Sequence, residues 1–188
     1  MASQGPNAPG TIADDSAVGT KTWASVSNAG ASDNSYTTAN QIGAGSATTH
    51  YLKCTNFGFS IPSGSTIDGV TVEIEKKANQ SNIGNNAKDS TISLVKGGTV
   101  SGANRADTVT RWSATESFYT YGSSSDLWSL SLTDSDVNAS DFGVVVSAVI
   151  TSSKPNVIAY IDFVRITINY TTGGGGGSQT DAIMFGGD

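Results

Sequence analysis

Apolar residues recur at every second position along this chain, in short runs cut by clusters of Gly, Asn and Ser. Successive side chains of a strand point to opposite faces, so this spacing turns one face to a core and the other to water, whereas a helix needs a period near 3.6. In GVTVEIEKK, Val70, Val72 and Ile74 point one way, while Thr71, Glu73 and Glu75 point the other, with Lys76 and Lys77 read as part of the wet face. Phe57, Phe59 and Ile61 alternate in FGFSIPSGSTIDG until Pro62 and Gly64 end the run. STISLVKGG alternates Ile92 and Leu94 and stops at Gly97 and Gly98, and LWSLSL alternates Trp128, Leu130 and Leu132. GVVVSAVI is apolar on both faces, the pattern of a central strand covered from both sides. The longest run, IAYIDFVRITINY, puts Tyr160, Val164, Ile166, Ile168 and Tyr170 on one side and closes the folded part.

Composition agrees with a folded β protein. Only 14% of the residues are charged, against about 25% in average proteins. Ser, Thr and Gly fill 71 of 188 positions, yet three Trp, six Tyr and six Phe supply the core material that disordered chains lack. A single domain of this length buries about 70% of the surface its unfolded chain exposes. The net charge is −6 and the ten Lys and Arg are scattered, so no nucleic-acid partner is expected. No stretch approaches the roughly 20 apolar residues of a membrane span. MASQGPNAPG has neither the basic nor the apolar part of a secretion signal, so the chain is expected to be made and kept in a host cytoplasm. The one cysteine, Cys54, excludes an internal disulfide.

Between the runs lie ANQSNIGNNAKDS and GGTVSGANRADTVTR, read as loops, and TDSDVNASDFG, where Thr133 and Asp136 have the spacing of a capping box opening one helical turn. The expected fold is therefore all-β, an antiparallel β-sandwich of jelly-roll type. Its organisation reads as a flexible N-terminal arm over 1–19, a sandwich over 20–172, and a glycine tether with an apolar peptide over 173–188.

The sequence carries no recognisable reactive set. His50 and Cys54 are about 13 Å apart along a strand, too far for proton transfer. Glu73 and Glu75 share a face about 7 Å apart, a separation compatible with an inverting glycosidase, but beside Lys76 and Lys77 a solvated charge ladder is the ordinary explanation. Asp134, Asp136 and Asn138 open like a calcium loop, yet its sixth position is Ala139 and its twelfth Val145, where Gly and Glu are required. Calcium at a sandwich loop, drawing on Asp14, Asp15 or Asp33, stays open. Otherwise no metal, no cofactor and no catalysis are expected.

The succession VGTKTWASVSNAGASDNSYTTA, HYLKCTNFGFSIPSGSTIDGVTVEIEKKA, DSTISLVKGG, YGSSSDLWSLSLTDSDVNASDFGVVVSAV and IDFVRITINYT resembles a β-sandwich domain that recurs in structural proteins of tailed bacteriophages and in some prokaryotic surface proteins. The resemblance covers about residues 10–172. It implies a virion or surface structural role with no catalytic residues. The expected function is a head decoration or head-fibre protein of a virion, assembled in the host cytoplasm, with the major capsid protein as partner and a homo-oligomeric state. The alternative is a cell-surface module, either a filament subunit assembling by strand donation or a carbohydrate-binding domain on which Trp23 and Trp112 stack against host glycans while Trp128 sits in the core.

Gly173 to Gly177 then release the segment carrying Ala182, Ile183, Met184 and Phe185. Five glycines span about 12 Å in root-mean-square terms, enough to let a folded domain stand clear of a docked peptide. The apolar quartet is the expected docking site for a partner; strand donation and a frayed end are the other readings.

Overall fold

In the computed structural model, which describes residues 1–153 and 156–173, the period-two runs become antiparallel strands. They are β1 (Ala2–Asn7), β2 (Thr11–Asp15), β3 (Thr37–Gln41), β4 (Gly45–Thr48), β5 (Tyr51–Thr55), β6 (Thr66–Ala78), β7 (Asn86–Lys96), β8 (Thr99–Ser101), β9 (Ser117–Gly122), β10 (Gly143–Ser152) and β11 (Val157–Thr171). Two sheets pack face to face. The first has the order β1-β11-β6-β9, with β3 beside the opening half of β11. The second has the order β2-β5-β10-β7-β8, with β4 beside the closing half of β10. From β5 to β11 the chain changes sheet at every connection except the β7–β8 hairpin. That crossing lays β3, β11, β6 and β9 over β5, β10, β7 and β8, which is the jelly-roll order.

The core lies between the sheets. Val70, Val72 and Ile74 of β6 and Val164, Ile166 and Ile168 of β11 meet Ile92 and Leu94 of β7 and Val144, Val146 and Ile150 of β10. β10 is bonded on both edges and Val145 on its other face is buried too, as its unbroken apolar run indicates. Gly97 and Gly98 close the β7–β8 hairpin with φ of 57° and 73°, the left-handed pair that a two-residue turn needs and that other residues adopt at a cost. Thr133 and Asp136 form the expected capping box on α1 (Asp134–Asn138), each satisfying the other's backbone N–H.

The first nineteen residues are not a free arm. β1 pairs with β11 and β2 pairs with β5, so residues 2–7 and 11–15 are built into opposite sheets. Gly5 and Pro6 inside β1 hide this from pattern reading, and neither β1 nor β2 carries more than a few apolar residues. Backbone pairing and side-chain bonds hold them: Asn7 Nδ2 donates to the Phe57 carbonyl at 2.9 Å, and Gln4 Oε1 accepts from Ser60 N–H at 2.8 Å. Removing residues 1–9 uncovers the β11 edge over 166–170, and exposed edges pair with one another. The truncated protein is expected to melt earlier and to aggregate with rising concentration. An unchanged melt and a single monodisperse species in light scattering would make β1 dispensable.

Two expected strands are irregular segments without a ladder. Phe57, Phe59 and Ile61 are all buried, but the carboxamide of Asn138 stands in for a neighbouring strand, accepting from Ile61 N–H at 2.7 Å and donating to Ile61 O at 2.9 Å. Trp128 and Leu132 are buried, Trp128 within a turn in which it and Ser129 have φ of 56° and 59°. Asn86–Lys96 begins inside the expected first loop, and Thr99–Ser101 inside the second.

Side-chain parity departs from the sequence reading at two places. Lys76 follows Val70, Val72 and Ile74 onto the inner face rather than the wet one. In β11 the register with β6 slips between Ile161 and Phe163, so Asp162 is an extra residue. This bulge turns Ile161 inward and leaves Tyr160 outside, edge-on to Tyr36 at 5.4 Å between ring centroids.

Candidate functional site

Lys76 on β6 and Asp89 on β7 face each other across the interior, 1% and 2% exposed. The Lys76 ammonium contacts Asp89 Oδ1 and the Tyr121 hydroxyl. Asp89 also accepts from the Trp112 indole N–H at 2.7 Å, the Tyr121 hydroxyl at 2.6 Å and the Asp107 backbone N–H at 3.2 Å. The rings of Trp112 and Tyr119 lie 4.5 and 4.6 Å from Nζ. A buried ion survives when it is paired and its remaining donors are filled, and this box meets both conditions. Burial lowers the Lys76 pKa, with the Asp89 charge opposing, while burial and the Asp89 charge raise that of Tyr121. A hollow of about 130 Å³ adjoins these groups. The box ties one sheet to the other and presents no group that solvent reaches freely.

A second constellation lies on the outer face of the first sheet. Glu75 on β6, Glu116 just before β9, and Asp162 at the β11 bulge bring one carboxylate oxygen each within 4.8 Å of one another. Glu75 Oε2, Glu116 Oε1 and Asp162 Oδ1 are buried and lack hydrogen-bond donors. Asp162 is 1% exposed; its other oxygen accepts from Asn34 N–H at 3.2 Å. The second oxygen of Glu116 accepts from the Tyr36 hydroxyl at 3.0 Å and lies 3.8 Å from the Lys77 ammonium. Burial raises the Asp162 pKa, and the charges of Glu116 and Glu75 raise it further, while the N–H groups of Asn34 and Asp33 oppose. Like charges about 4 Å apart repel by about 4 kcal/mol near a protein surface. This is the one such group of metal-ligating side chains among the described residues. Sequence reading missed it because its members are 41 and 46 positions apart and nothing in the text of β11 announces the bulge.

The residues singled out from the sequence take other roles. Trp23 and Trp112 are 2% and 1% exposed, so neither stacks on a glycan. Their indole N–H groups are used inside the fold, Trp23 donating to the His50 carbonyl at 2.9 Å and Trp112 to Asp89. Each lies in an irregular segment, yet its side chain is packed into the core. Trp128 is in the core, as expected, though in a turn. His50 pairs with Asp14 at 2.8 Å, while the Cys54 thiol is buried and its pKa pushed up by burial, so the two form no nucleophilic pair. Glu73 is clamped by Arg165 through two bonds of 2.9 and 3.0 Å and does not work with Glu75 as an acid pair. Asp14, Asp15 and Asp33 do not converge; Asp14 also accepts from Trp23 N–H, Asp15 from Ala17 N–H and Asp33 from Ser35 N–H. Asp136 serves its helix cap and pairs with Lys96 at 2.9 Å, and Asn138 is spent on Ile61. Ala182, Ile183, Met184 and Phe185 lie outside the described residues.

The chain matches no family model and no curated protein. Among the described residues no helix is long and apolar enough to cross a membrane. A larger hollow, about 350 Å³, opens on the second sheet between Lys88, Asp89, Arg111, Val149 and Thr151. Its lining carries no aromatic platform of the kind that sugar stacking uses.

Proposed function

We propose that this chain is a non-enzymatic structural protein of a phage virion, a head decoration or head-fibre protein held to the particle through the peptide beyond its glycine run. The observation that carries this reading is the place where the chain leaves the jelly roll. β11 ends at Thr171, and Tyr170 pairs with Ala2, so residue 172 emerges at one end of the sandwich from a strand inside the first sheet. β11 is bonded to β6 along nearly its whole length and to β1 and β3 on its other edge. A pull at residue 172 therefore acts along β11 and is shared by three ladders, and the far end of the sandwich is presented outward. The resemblance of the sequence phrases to phage β-sandwich domains supports the same reading. Burial of Trp23 and Trp112 weakens the carbohydrate-binding alternative.

Deleting residues 173–188 tests it. The truncated protein is expected to keep the melting temperature of the full chain and to be absent from purified particles, with docked Ile183, Met184 and Phe185 each worth about 1.5–3 kcal/mol before the ordering of the tether is subtracted. Several tails acting together multiply a modest affinity. Incorporation at unchanged copy number would overturn the attachment role, and loss of self-polymerisation instead of particle binding would move the assignment to strand donation.

A further inference from the structure

We propose that Glu75, Glu116 and Asp162 bind a calcium ion that clasps the 30–36 loop and the approach to β9 onto the β6–β11 pair. The three carboxylates come from separate parts of the chain, and each directs a buried oxygen with no donor into one small volume. The outward oxygens of two of them are already engaged, Glu116 by Tyr36 and Asp162 by Asn34 N–H, which leaves the inward oxygens free for a shared ligand. The cations nearby do not reach those oxygens: Lys77 lies 3.8 Å from the far oxygen of Glu116 and donates to the Tyr36 hydroxyl at 2.7 Å, and Arg165 is held by Glu73. A buried acceptor trio without donors is completed by a cation. Asp162 stands in the group because the bulge adds it between Ile161 and Phe163, and bulges commonly serve to re-aim a side chain.

The donor set is oxygen alone, which suits a hard ion and not zinc or copper. Calcium–oxygen bonds are about 2.3–2.6 Å, so an ion at the centre of three oxygens holds them roughly 4.0–4.5 Å apart, inside the 4.8 Å within which all three lie. Magnesium, with bonds near 2.1 Å and a strict octahedron, spans such a trio less well. Water completes the shell that three carboxylates leave open. The ion offsets the repulsion among the three charges and fixes Asn34 and Tyr36, which touch two of its ligands.

The test uses the full chain, stripped with chelator and titrated with calcium alone by calorimetry, with melting curves in calcium, magnesium and chelator. One calcium per chain and a melting temperature several degrees higher in calcium than in chelator are expected, with magnesium giving a smaller rise. Terbium should bind the same place and luminesce on excitation of the nearby tyrosines. Asp162→Asn and Glu116→Gln should each weaken calcium at least about tenfold, while their melts in chelator match or exceed the wild type because one repelling charge is gone. Asp14→Asn, outside the cluster, should bind as the wild type does. If Asp162→Asn fails to fold, the Glu116→Gln titration and wild-type terbium luminescence decide. No binding heat together with identical melts in calcium and chelator would overturn the proposal, as would calcium binding that survives both substitutions.

Discussion

Asp89→Ala is expected to lower stability by about 3–5 kcal/mol, the range for removing one partner of a buried ion pair. For a chain of this length that is a fall of roughly 6–20 °C in melting temperature. The substitution strands the Lys76 ammonium, the Trp112 indole N–H and the Tyr121 hydroxyl together in the interior. Denaturant titration should show a lower midpoint with an unchanged slope. Recovery is the sharper test: Lys76→Met combined with Asp89→Leu should regain most of the loss, because an apolar pair of similar volume carries no desolvation cost. The pH dependence has a definite sign. Burial already lowers the Lys76 pKa, and without Asp89 nothing comparable opposes it. The folded variant then holds the lysine proton less tightly than the unfolded chain, whose lysine titrates near 10.5, so its stability should climb as pH rises from neutral toward that value. A loss below about 1 kcal/mol would mean that water reaches the pair and that the box is not a desolvated tie.

Trp128→Ala should cost about 3–5 kcal/mol through the cavity it leaves. The indole is fully buried, its N–H donates to the Val70 carbonyl at 2.9 Å, and its backbone is fixed by Asp126 Oδ1 at 2.8 Å and Ala103 N–H at 2.7 Å. Asp126 is in turn held by Arg105 through two bonds of 2.8 Å. Trp128→Phe keeps most of the volume but orphans the Val70 carbonyl, and should cost about 1–3 kcal/mol. Equal losses in the two variants, measured by thermal and denaturant unfolding, would assign the role of Trp128 to its hydrogen bond and not to its bulk.

Trp128, Phe57, Phe59 and Ile61 are all buried in segments that pair with no strand. Alternation marks Phe57, Phe59, Ile61 and Trp128 as buried, and all four are, although Gly58, Trp128 and Ser129 have left-handed backbone and not the extended one that the pattern assumes. It does not say whether a neighbouring strand is present, and in both segments turns and side-chain amides take that place. β1 shows the converse, a strand with little apolar text that exists because β11 offers it an open edge.

By itself the sequence determined the fold class, the central position of β10, the inward faces of β6 and β7 and the capped turn at Thr133, because each depends on residues a few positions apart along one segment. The tertiary structure alone decided the rest. Lys76 becomes an interior ion only because Asp89, Tyr121 and Trp112 arrive from other strands to satisfy it. Trp23 and Trp112 become core because loops fold back over the sandwich. Glu75, Glu116 and Asp162 meet only when β6, β9 and a bulged β11 align, since register and bulges are set by pairing between strands and leave no period in the chain for reading to detect.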